Sequence, residues 1–313
     1  MRAFTTCPID AKTRDPANSS RQSMMQKRQQ EQPTSEVQAS NQQWWTVNTM
    51  SYDWNEKISA ERFSADWFDE VDRRFIFAHR LFAHDERPFG RIIPFDAIRG
   101  RRVLEIGCGM GLHTEKLVRA GADVTTIDIS QTSVDATARR MEIKGLKADV
   151  RRMDAEILEF PDESFDFVWS WGVIHHSAMT GRIVRQIHRV LKAGGESRVM
   201  VYNLEGMPAY ITMARRYMTG FWRGRSLDEC LWRDTDGFTA RYYSKDQLGD
   251  LFNIFFDKVS VESFGQDADA APLPRQLRPI VLNLMGAARA SRIGNKRGGF
   301  LFVTASKQAH DKN

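Results

Sequence analysis

One stretch of ten residues constrains the fold of this 313-residue chain more than any other. It reads Arg102-Val-Leu-Glu-Ile-Gly-Cys-Gly-Met-Gly111, a run of branched apolar residues that ends in three alternating glycines. The apolar part is typical of a strand that is buried on both faces of a parallel sheet. Because glycine lacks a Cβ, the turn lets the main chain lie against a ligand at the positive end of the following helix. The sequence therefore predicts an α/β fold with a ligand-binding loop after its first strand.

The spacing of the glycines distinguishes this loop from the dinucleotide-binding fingerprint. A G-x-G-x-x-G motif that starts at Gly107 requires glycine where this chain has Leu112. The pattern is instead acid-x-G-x-G-x-G, with Glu105 as the acid. A second apolar strand ends at Asp128, where a carboxylate can accept hydrogen bonds from both hydroxyl groups of a ribose.

These residues resemble motif I and the second-strand acid of the class I S-adenosylmethionine-dependent methyltransferases. Further along the chain, Asp154-Ala155 is similar to the pair that holds adenine in that family. Residues 165–176 resemble the fourth-strand motif of the subgroup that includes ubiquinone and menaquinone C-methyltransferases. Residues 189–195 resemble its R-V-L-K-P-G-G turn, with Ala193 in place of the proline.

The resemblance implies S-adenosylmethionine as the cofactor. It implies that Glu105 holds the methionyl amine, directly or through water, and that Trp171 covers the cofactor. The full set of cofactor-binding residues that it implies is Glu105, Gly107, Cys108, Gly109, Gly111, Asp128, Ile129, Asp154, Ala155 and Trp171.

Strand and helix patterns alternate along the chain, as in a doubly wound sheet. Apolar runs predict strands at residues 103–106, 124–128, 148–153, 164–169, 197–202, 259–264 and 300–304. The family resemblance places the seventh strand antiparallel between the fifth and sixth. We therefore expect a Rossmann-like seven-stranded sheet with an N-terminal helical extension and insertions after strands 5 and 6.

Composition divides the chain into three parts. Residues 1–43 are rich in Gln, Ser, Arg and Lys and almost free of branched apolar residues, which predicts a disordered tail. Residues 44–100 predict a helical cap segment, because apolar residues recur there at spacings of three and four. Residues 101–313 form the expected cofactor-binding domain, with substrate-side insertions at 204–243 and 265–297.

The expected catalytic residues follow the fourth strand. A methylsulfonium needs little activation, so the site must mainly align the acceptor and exclude water. His176 or His175 could remove a proton from an oxygen or carbon acceptor near neutral pH. The alternative is that both histidines bond to nearby backbone.

The expected acceptor-binding residues are Tyr202 and Asn203 at the end of the fifth strand, with Arg241 and Tyr242 after the first insertion. Strand ends and turns need hydrogen-bonding residues in any case, so a purely structural role stays open for both pairs.

Charge and cysteine content narrow the class of protein. A net charge of +5 permits an anionic partner, but the basic residues are scattered, which favours a solvated surface, and no nucleic-acid partner is expected. Three distant cysteines without a C-x-x-C pair indicate neither a zinc site nor a disulfide framework.

No apolar run reaches the ~20 residues of a membrane span, and no signal peptide is evident, so we expect a cytoplasmic location. Peripheral membrane contact through the apolar, basic segment 277–290 stays open, as does the oligomeric state.

The resemblance implies methyl transfer from S-adenosylmethionine to an oxygen or carbon of a small-molecule or lipid-like acceptor. Two alternatives stay open: an RNA methyltransferase, and an S-adenosylmethionine-binding interaction protein without turnover. The sequence Ser170-Trp-Gly-Val173 argues against the first, because many nucleic-acid enzymes have Asn/Asp-Pro-Pro-Tyr/Phe there.

Overall fold

The computed structural model describes residues 36–52, 57–233, 235, 237–274 and 276–309. Their strands are β1 Arg102–Ile106, β2 Asp123–Asp128, β3 Asp149–Arg152, β4 Phe165–Trp171, β5 Leu191–Asn203, β6 Tyr242–Tyr243, β7 Lys258–Phe264 and β8 Phe300–Ser306. They form a sheet in the order β3-β2-β1-β4-β5-β8-β7, and β6 pairs with the end of β5. Strands β1 to β5 are parallel, whereas β8 is antiparallel to both of its neighbours. The doubly wound sheet and its antiparallel strand confirm the prediction, and β6 is an addition to it.

Helices surround this sheet. They are α1 Glu36–Val47, α2 Ala65–Ala78, α3 Leu112–Arg119, α4 Gln131–Ile143, α5 Thr180–Val190, α6 Met207–Met218, α7 Leu227–Trp232, α8 Lys245–Asn253, α9 Asp267–Ala270, α10 Arg278–Met285 and α11 Ala287–Lys296. Side-chain caps fix several helix starts. Ser130 accepts a hydrogen bond from the Ser133 amide at 3.2 Å, and Ser244 with Gln247 forms the capping box that the sequence predicts. Within the described ranges, the helices lack the length and apolar character that crossing a bilayer requires.

Two apolar clusters cover the two faces of the sheet. Val168 belongs to the cluster that contains Val184 and Phe252 from α5 and α8. Its neighbour Trp169 belongs to the other cluster, with Phe75 and other residues of the 75–98 segment. Successive residues of a strand point to opposite faces, so the N-terminal segment packs on one face and α5 with α8 on the other.

Helix α1 is a correction to the expected tail, because residues 36–43 belong to it. The rest of that tail, residues 1–35, lies outside the described residues. The helix buries two polar side chains, Gln38 and Asn41, in place of an apolar stripe. Because the buried residues of this helix are polar, hydrophobic periodicity does not predict it.

Candidate active site

A cavity of about 590 Å³ lies along the carboxyl edge of the sheet. Ligands of open α/β sheets bind at this edge, where the strand order reverses beside β1. In sheet order the cavity is lined by Asp154 after β3, Asp128 at the end of β2, Gly109 after β1, Trp171 at the end of β4, Tyr202 on β5, Phe300 on β8 and Gln266 after β7.

The three glycines of the loop after β1 all have positive φ angles, at 89°, 51° and 79°, but their surroundings differ. A Cβ on Gly107 would lie 2.1 Å from Val173 Cγ2, and a Cβ on Gly111 would lie 3.0 Å from Arg140 Cδ. A Cβ on Gly109 would have no atom within 4 Å. Gly107 and Gly111 are therefore required for packing, whereas Gly109 leaves open space at the cavity wall. Gly111 itself lies outside the cavity lining.

Asp128 is the acid that the loop positions. Its Oδ2 accepts a hydrogen bond from the Gly109 amide at 3.1 Å, and its Oδ1 accepts one from the Ser130 amide at 2.9 Å. Burial raises the pKa of this carboxyl group. Asp128 and Ile129 both line the cavity, where the carboxylate can accept further hydrogen bonds from a diol.

Glu105 lies beneath the loop and outside the cavity lining. Its Oε2 accepts hydrogen bonds from Thr114 Oγ1 and Thr126 Oγ1, so it connects β1 with α3 and β2. Its Oε1 is buried and has no partner among the described residues. Burial raises the pKa of Glu105 to about 8. The unpaired Oε1 is the atom that a nearby ammonium group would satisfy.

Helix α1 closes the cavity at Asp154. Gln38 Nε2 donates to Asp154 Oδ1 at 2.9 Å, and the Glu156 amide donates to the same oxygen at 2.9 Å. Asn41 Nδ2 donates to the His176 carbonyl oxygen at 2.6 Å. Asn41 Oδ1 is buried without a partner among the described residues, and its side chain lines the cavity. Helix α1 is therefore part of the site.

His176 lines the middle of the cavity. Its Nδ1 lies 2.7 Å from the Thr239 carbonyl oxygen, which can only accept a hydrogen bond, so the proton of a neutral ring is on Nδ1. Burial lowers the pKa of His176 to about 4. The ring is thus neutral at pH 7, and its Nε2 carries a lone pair.

Comparison with known proteins shows which proteins this part of the chain is similar to. A model described as a methyltransferase domain matches residues 104–199. The "Ubiquinone biosynthesis O-methyltransferase" of Dinoroseobacter shibae is 30% identical over 161 residues, which cover 48% of this chain and 64% of that protein. The protein of the same name from Sinorhizobium fredii is 28% identical over 239 residues, which cover 72% of this chain and 96% of that protein. Residues 104–199 thus match a methyltransferase domain, and the chain is similar to S-adenosylmethionine-dependent methyltransferases.

The match to the Dinoroseobacter protein spans less than two thirds of that protein's length. Among solved structures, the [4+2]-cyclase SpnF covers 87% of this chain with a TM-score of 0.53 and 19% identity, over 96% of the cyclase. That likeness shows the fold alone.

The residues along this edge fit S-adenosylmethionine. The cofactor presents a ribose diol and an adenine amine, which carboxylates accept, and a methionyl ammonium, which an acid neutralises. The chain has Asp154, Asp128 and the unpaired Glu105 Oε1 in sheet order, with open space over Gly109. Burial raises the pKa of each of these acids.

Two further predicted cofactor residues line the cavity through backbone or small side chains. Burial raises the pKa of the Cys108 thiol, so Cys108 is a small loop residue and not a nucleophile. Ala155 follows Asp154 at the adenine end.

Besides Glu105 and Gly111, three predicted site residues lie outside the cavity lining, which corrects the prediction for them: His175, Asn203 and Arg241. His175 is fully buried and packs against Tyr202, with ring centroids 4.1 Å apart. Asn203 Nδ2 donates to the Gly298 carbonyl oxygen at 2.7 Å. The Arg241 guanidinium donates to the carbonyl oxygens of residues 177 and 178. Their side chains serve the backbone or the packing of the site, whereas Tyr202 and Tyr242 do line the cavity.

Aromatic side chains form the wall on the acceptor side. Trp171 lies at its centre, with ring centroids 5.0 Å from His79, 5.8 Å from Phe75 and 6.0 Å from Phe300. The sequence predicts Trp171 as a cover for the cofactor, and the structure adds that its ring contacts His113 of α3 and Phe300 of β8.

Several polar residues of the cavity have no predicted counterpart, and four of them are His79, His113, Gln266 and Asp269. His113 lies two residues after the last glycine of the loop, so its closeness to the site could have been predicted from the motif. The other three come from α2 and from the second insertion, so no local pattern connects them. His113 Nε2 is buried without a partner among the described residues.

Proposed function

We propose that this methyltransferase transfers the methyl group of S-adenosylmethionine to the oxygen of a hydroxylated aromatic small molecule. The observation that carries the proposal is His176, a neutral imidazole that is oriented by Thr239 in a cavity with aromatic walls. The name of the relatives, which specifies an O-methyltransferase, supports oxygen over carbon as the methylated atom.

Residues at the ends of three strands hold different parts of the cofactor. Asp154 and Ala155 hold adenine, Asp128 with Ile129 holds the ribose, and Glu105 Oε1 faces the methionyl ammonium. When bound, S-adenosylmethionine supplies an electrophilic methyl group on a sulfonium.

His176 moves the proton of the reaction. Its Nε2 accepts the proton of the acceptor hydroxyl, and the Thr239 carbonyl oxygen stabilises the ring that then carries both protons. Because burial holds the pKa of His176 at about 4 in the free protein, the base is unprotonated throughout the neutral range. The walls formed by Trp171, Phe75 and Phe300 exclude water and stack against an aromatic acceptor.

Methyl transfer to phenols tests this proposal directly. Purified protein is incubated with S-adenosylmethionine and a panel of mono- and dihydroxybenzenes, and mass spectrometry detects products heavier by about 14 daltons. The variant His176→Asn keeps an N–H donor for Thr239 but lacks Nε2. We expect turnover to fall at least about 100-fold, while affinity for the cofactor, measured by calorimetry, changes about twofold at most.

His84→Ala is the matched control, because His84 is exposed and lies outside the cavity lining. Full activity of His176→Asn would exclude His176 as the base. Methylation of RNA and of no phenol would favour the nucleic-acid alternative, and cofactor binding without any product would favour an interaction protein.

A cytoplasmic location, a lipid-like acceptor and membrane contact stay predictions of the sequence. Three apolar side chains of the second insertion, Leu277, Ile280 and Leu284, are exposed and lie at helical spacing. This face suits a lipid-like acceptor, and sedimentation with phospholipid vesicles tests the contact.

A further inference from the structure

The end of the cavity near β7 contains an acid that is not among the residues expected to hold the cofactor. Asp269 follows β7 and is 3% exposed, and its side chain lines the cavity. Its Oδ2 accepts hydrogen bonds from the amides of Gln266 at 2.8 Å and Gly299 at 3.0 Å. Among the described residues, no donor engages Oδ1. One oxygen of this buried carboxyl group is thus fixed by backbone, and the other is available to a ligand.

The two polar side chains that line the cavity beside Asp269, Gln266 and His79, are neutral. Gln266 Nε2 lies 2.9 Å from His79 Nε2, and His79 Nδ1 lies 2.8 Å from the Phe75 carbonyl oxygen. Because that carbonyl only accepts, the His79 proton is on Nδ1, and Nε2 accepts from the Gln266 amide. Burial lowers the pKa of His79 to about 4, so the ring is neutral at pH 7.

The cavity has no cationic side chain for an anionic acceptor. Among the described residues that line it, none is Lys or Arg, whereas Asp72, Asp128, Asp154 and Asp269 are acidic. A phosphate or carboxylate on the acceptor would be buried without a partner. Arg278 already supplies a positive charge near Asp269, so an ammonium on the acceptor is not required there. A hydroxyl group meets both conditions, because it is neutral and donates a hydrogen bond.

The sheet sets the distance between the two ends of the acceptor. His176 follows β4 and contacts Tyr202 of β5, whereas Asp269 follows β7, beyond β8. Neighbouring strands lie about 4.8 Å apart, so Asp269 is roughly 10–14 Å from the place of methyl transfer. Because a hydroxyl bonded to Asp269 lies about 2.8 Å from it, an acceptor that bonds to both residues must carry its second polar group roughly 7–11 Å from the reacting oxygen.

We propose that Asp269 Oδ1 accepts a hydrogen bond from a hydroxyl group at the far end of a neutral acceptor. Asp269, Gln266 and His79 then form a distal subsite that selects acceptors by this hydroxyl group. The inference rests on the proposed function for the position of the reacting hydroxyl, which lies at His176.

Three phenols of similar size test the subsite: 4-(3-hydroxypropyl)phenol, 4-propylphenol and 3-(4-hydroxyphenyl)propanoate. The first spans roughly 9 Å between its oxygens, from standard bond lengths. Affinity is measured by titration calorimetry on the protein saturated with S-adenosylhomocysteine, so no turnover is needed. We expect the hydroxypropyl compound to bind about tenfold more tightly than 4-propylphenol, because its hydroxyl donates to a charged acceptor. The propanoate should bind most weakly.

The variant Asp269→Asn replaces the hydrogen-bond acceptor at the Oδ1 position with a donor. The amide oxygen keeps the two backbone hydrogen bonds at the Oδ2 position, which places the NH₂ group where Oδ1 was. The tenfold advantage of the hydroxypropyl compound should fall to about twofold or less, and binding of the propanoate should improve. Asp267→Asn is the matched control, since Asp267 pairs with Arg80 and lies outside the cavity lining.

Equal affinities of the first two phenols for the unmodified protein, failure of all three to bind, or an unchanged preference in Asp269→Asn would each overturn the subsite. Methyl transfer is assayed separately on the same compounds. A hydroxyl preference that depends on Asp269, without any methylated product, would support the subsite and refute the proposed reaction.

Discussion

The packing of Val173 against the glycine loop gives a quantitative test of why Gly107 must be glycine. In Gly107→Ala the new Cβ would lie 2.1 Å from Val173 Cγ2, far inside contact distance, and the backbone would keep its φ of 89°. A left-handed conformation costs alanine about 1–2 kcal/mol, and overpacking adds about 1–3 kcal/mol. The free energy of unfolding should therefore fall by roughly 2–5 kcal/mol, a large share of the ~5–15 kcal/mol typical of a domain.

A second substitution separates the two costs. Val173→Ala removes Cγ2, and the next contact of the new Cβ is then Val173 Cβ at 3.4 Å, an ordinary distance. In the double variant the overpacking cost disappears and the backbone cost stays. We expect a coupling energy of about 1–3 kcal/mol between the two substitutions, measured by urea unfolding of both single variants and the double variant.

Gly109→Ala is the matched control within the same loop. Its φ is 51° and the new Cβ has no neighbour within 4 Å, so the cost in stability should be only about 1–2 kcal/mol. The methyl group would instead occupy cavity space, and affinity for S-adenosylmethionine should fall about tenfold or more. Additive effects of the Gly107 and Val173 substitutions, or an unchanged cofactor affinity in Gly109→Ala, would contradict this division between packing and ligand binding.

Two further predictions concern α1 and the acid beneath the loop. Gln38→Ala removes the hydrogen-bond donor to Asp154 and should weaken S-adenosylmethionine binding about tenfold, measured by calorimetry. Gln43 is exposed on the same helix, so Gln43→Ala should leave this affinity unchanged. Equal effects of the two substitutions would show that α1 does not contribute to the site. Glu105 has a folded pKa of about 8 against an ordinary value of 4.5, so its ionisation costs stability as pH rises from about 4.5 to 8. The loss in the free energy of unfolding amounts to about 4–5 kcal/mol at most, and Glu105→Gln should reduce it. Urea unfolding at pH 5 and pH 8 measures the loss in both proteins. An equal loss in the two proteins would show that Glu105 is not its source.

The sheet could be predicted because each strand carries its own signal. Val103, Leu104 and Ile106 are apolar in sequence and buried in the structure, as expected of a strand covered on both faces. Helix α1 could not be predicted in this way, because Gln38 and Asn41 hold it by hydrogen bonds to parts of the chain more than 100 residues away. Strand β6, at two residues, is too short to show a period.

That Asp128, Asp154 and the glycine loop line one cavity could be predicted, because the motif positions follow successive strands of one sheet. The choice between His175 and His176 could not, since adjacent residues of a tight turn point in different directions. Only the structure shows that His176 meets Thr239 while His175 packs beneath Tyr202. Asn203 likewise lies at a predicted strand end, but it bonds to Gly298.

The two halves of the cavity differ in how far they depend on the common fold. Asp128, Asp154 and the glycine loop lie within residues 104–199, the part that matches the methyltransferase domain. His79 and Asp269 lie outside that range, on the cap segment and the second insertion. A substitution in the first set should therefore change affinity for the cofactor with every acceptor, whereas a substitution in the second should change the ranking of acceptors at constant cofactor affinity. The Asp269→Asn variant tests this difference. Its affinity for S-adenosylhomocysteine alone, measured by calorimetry, must equal that of the unmodified protein.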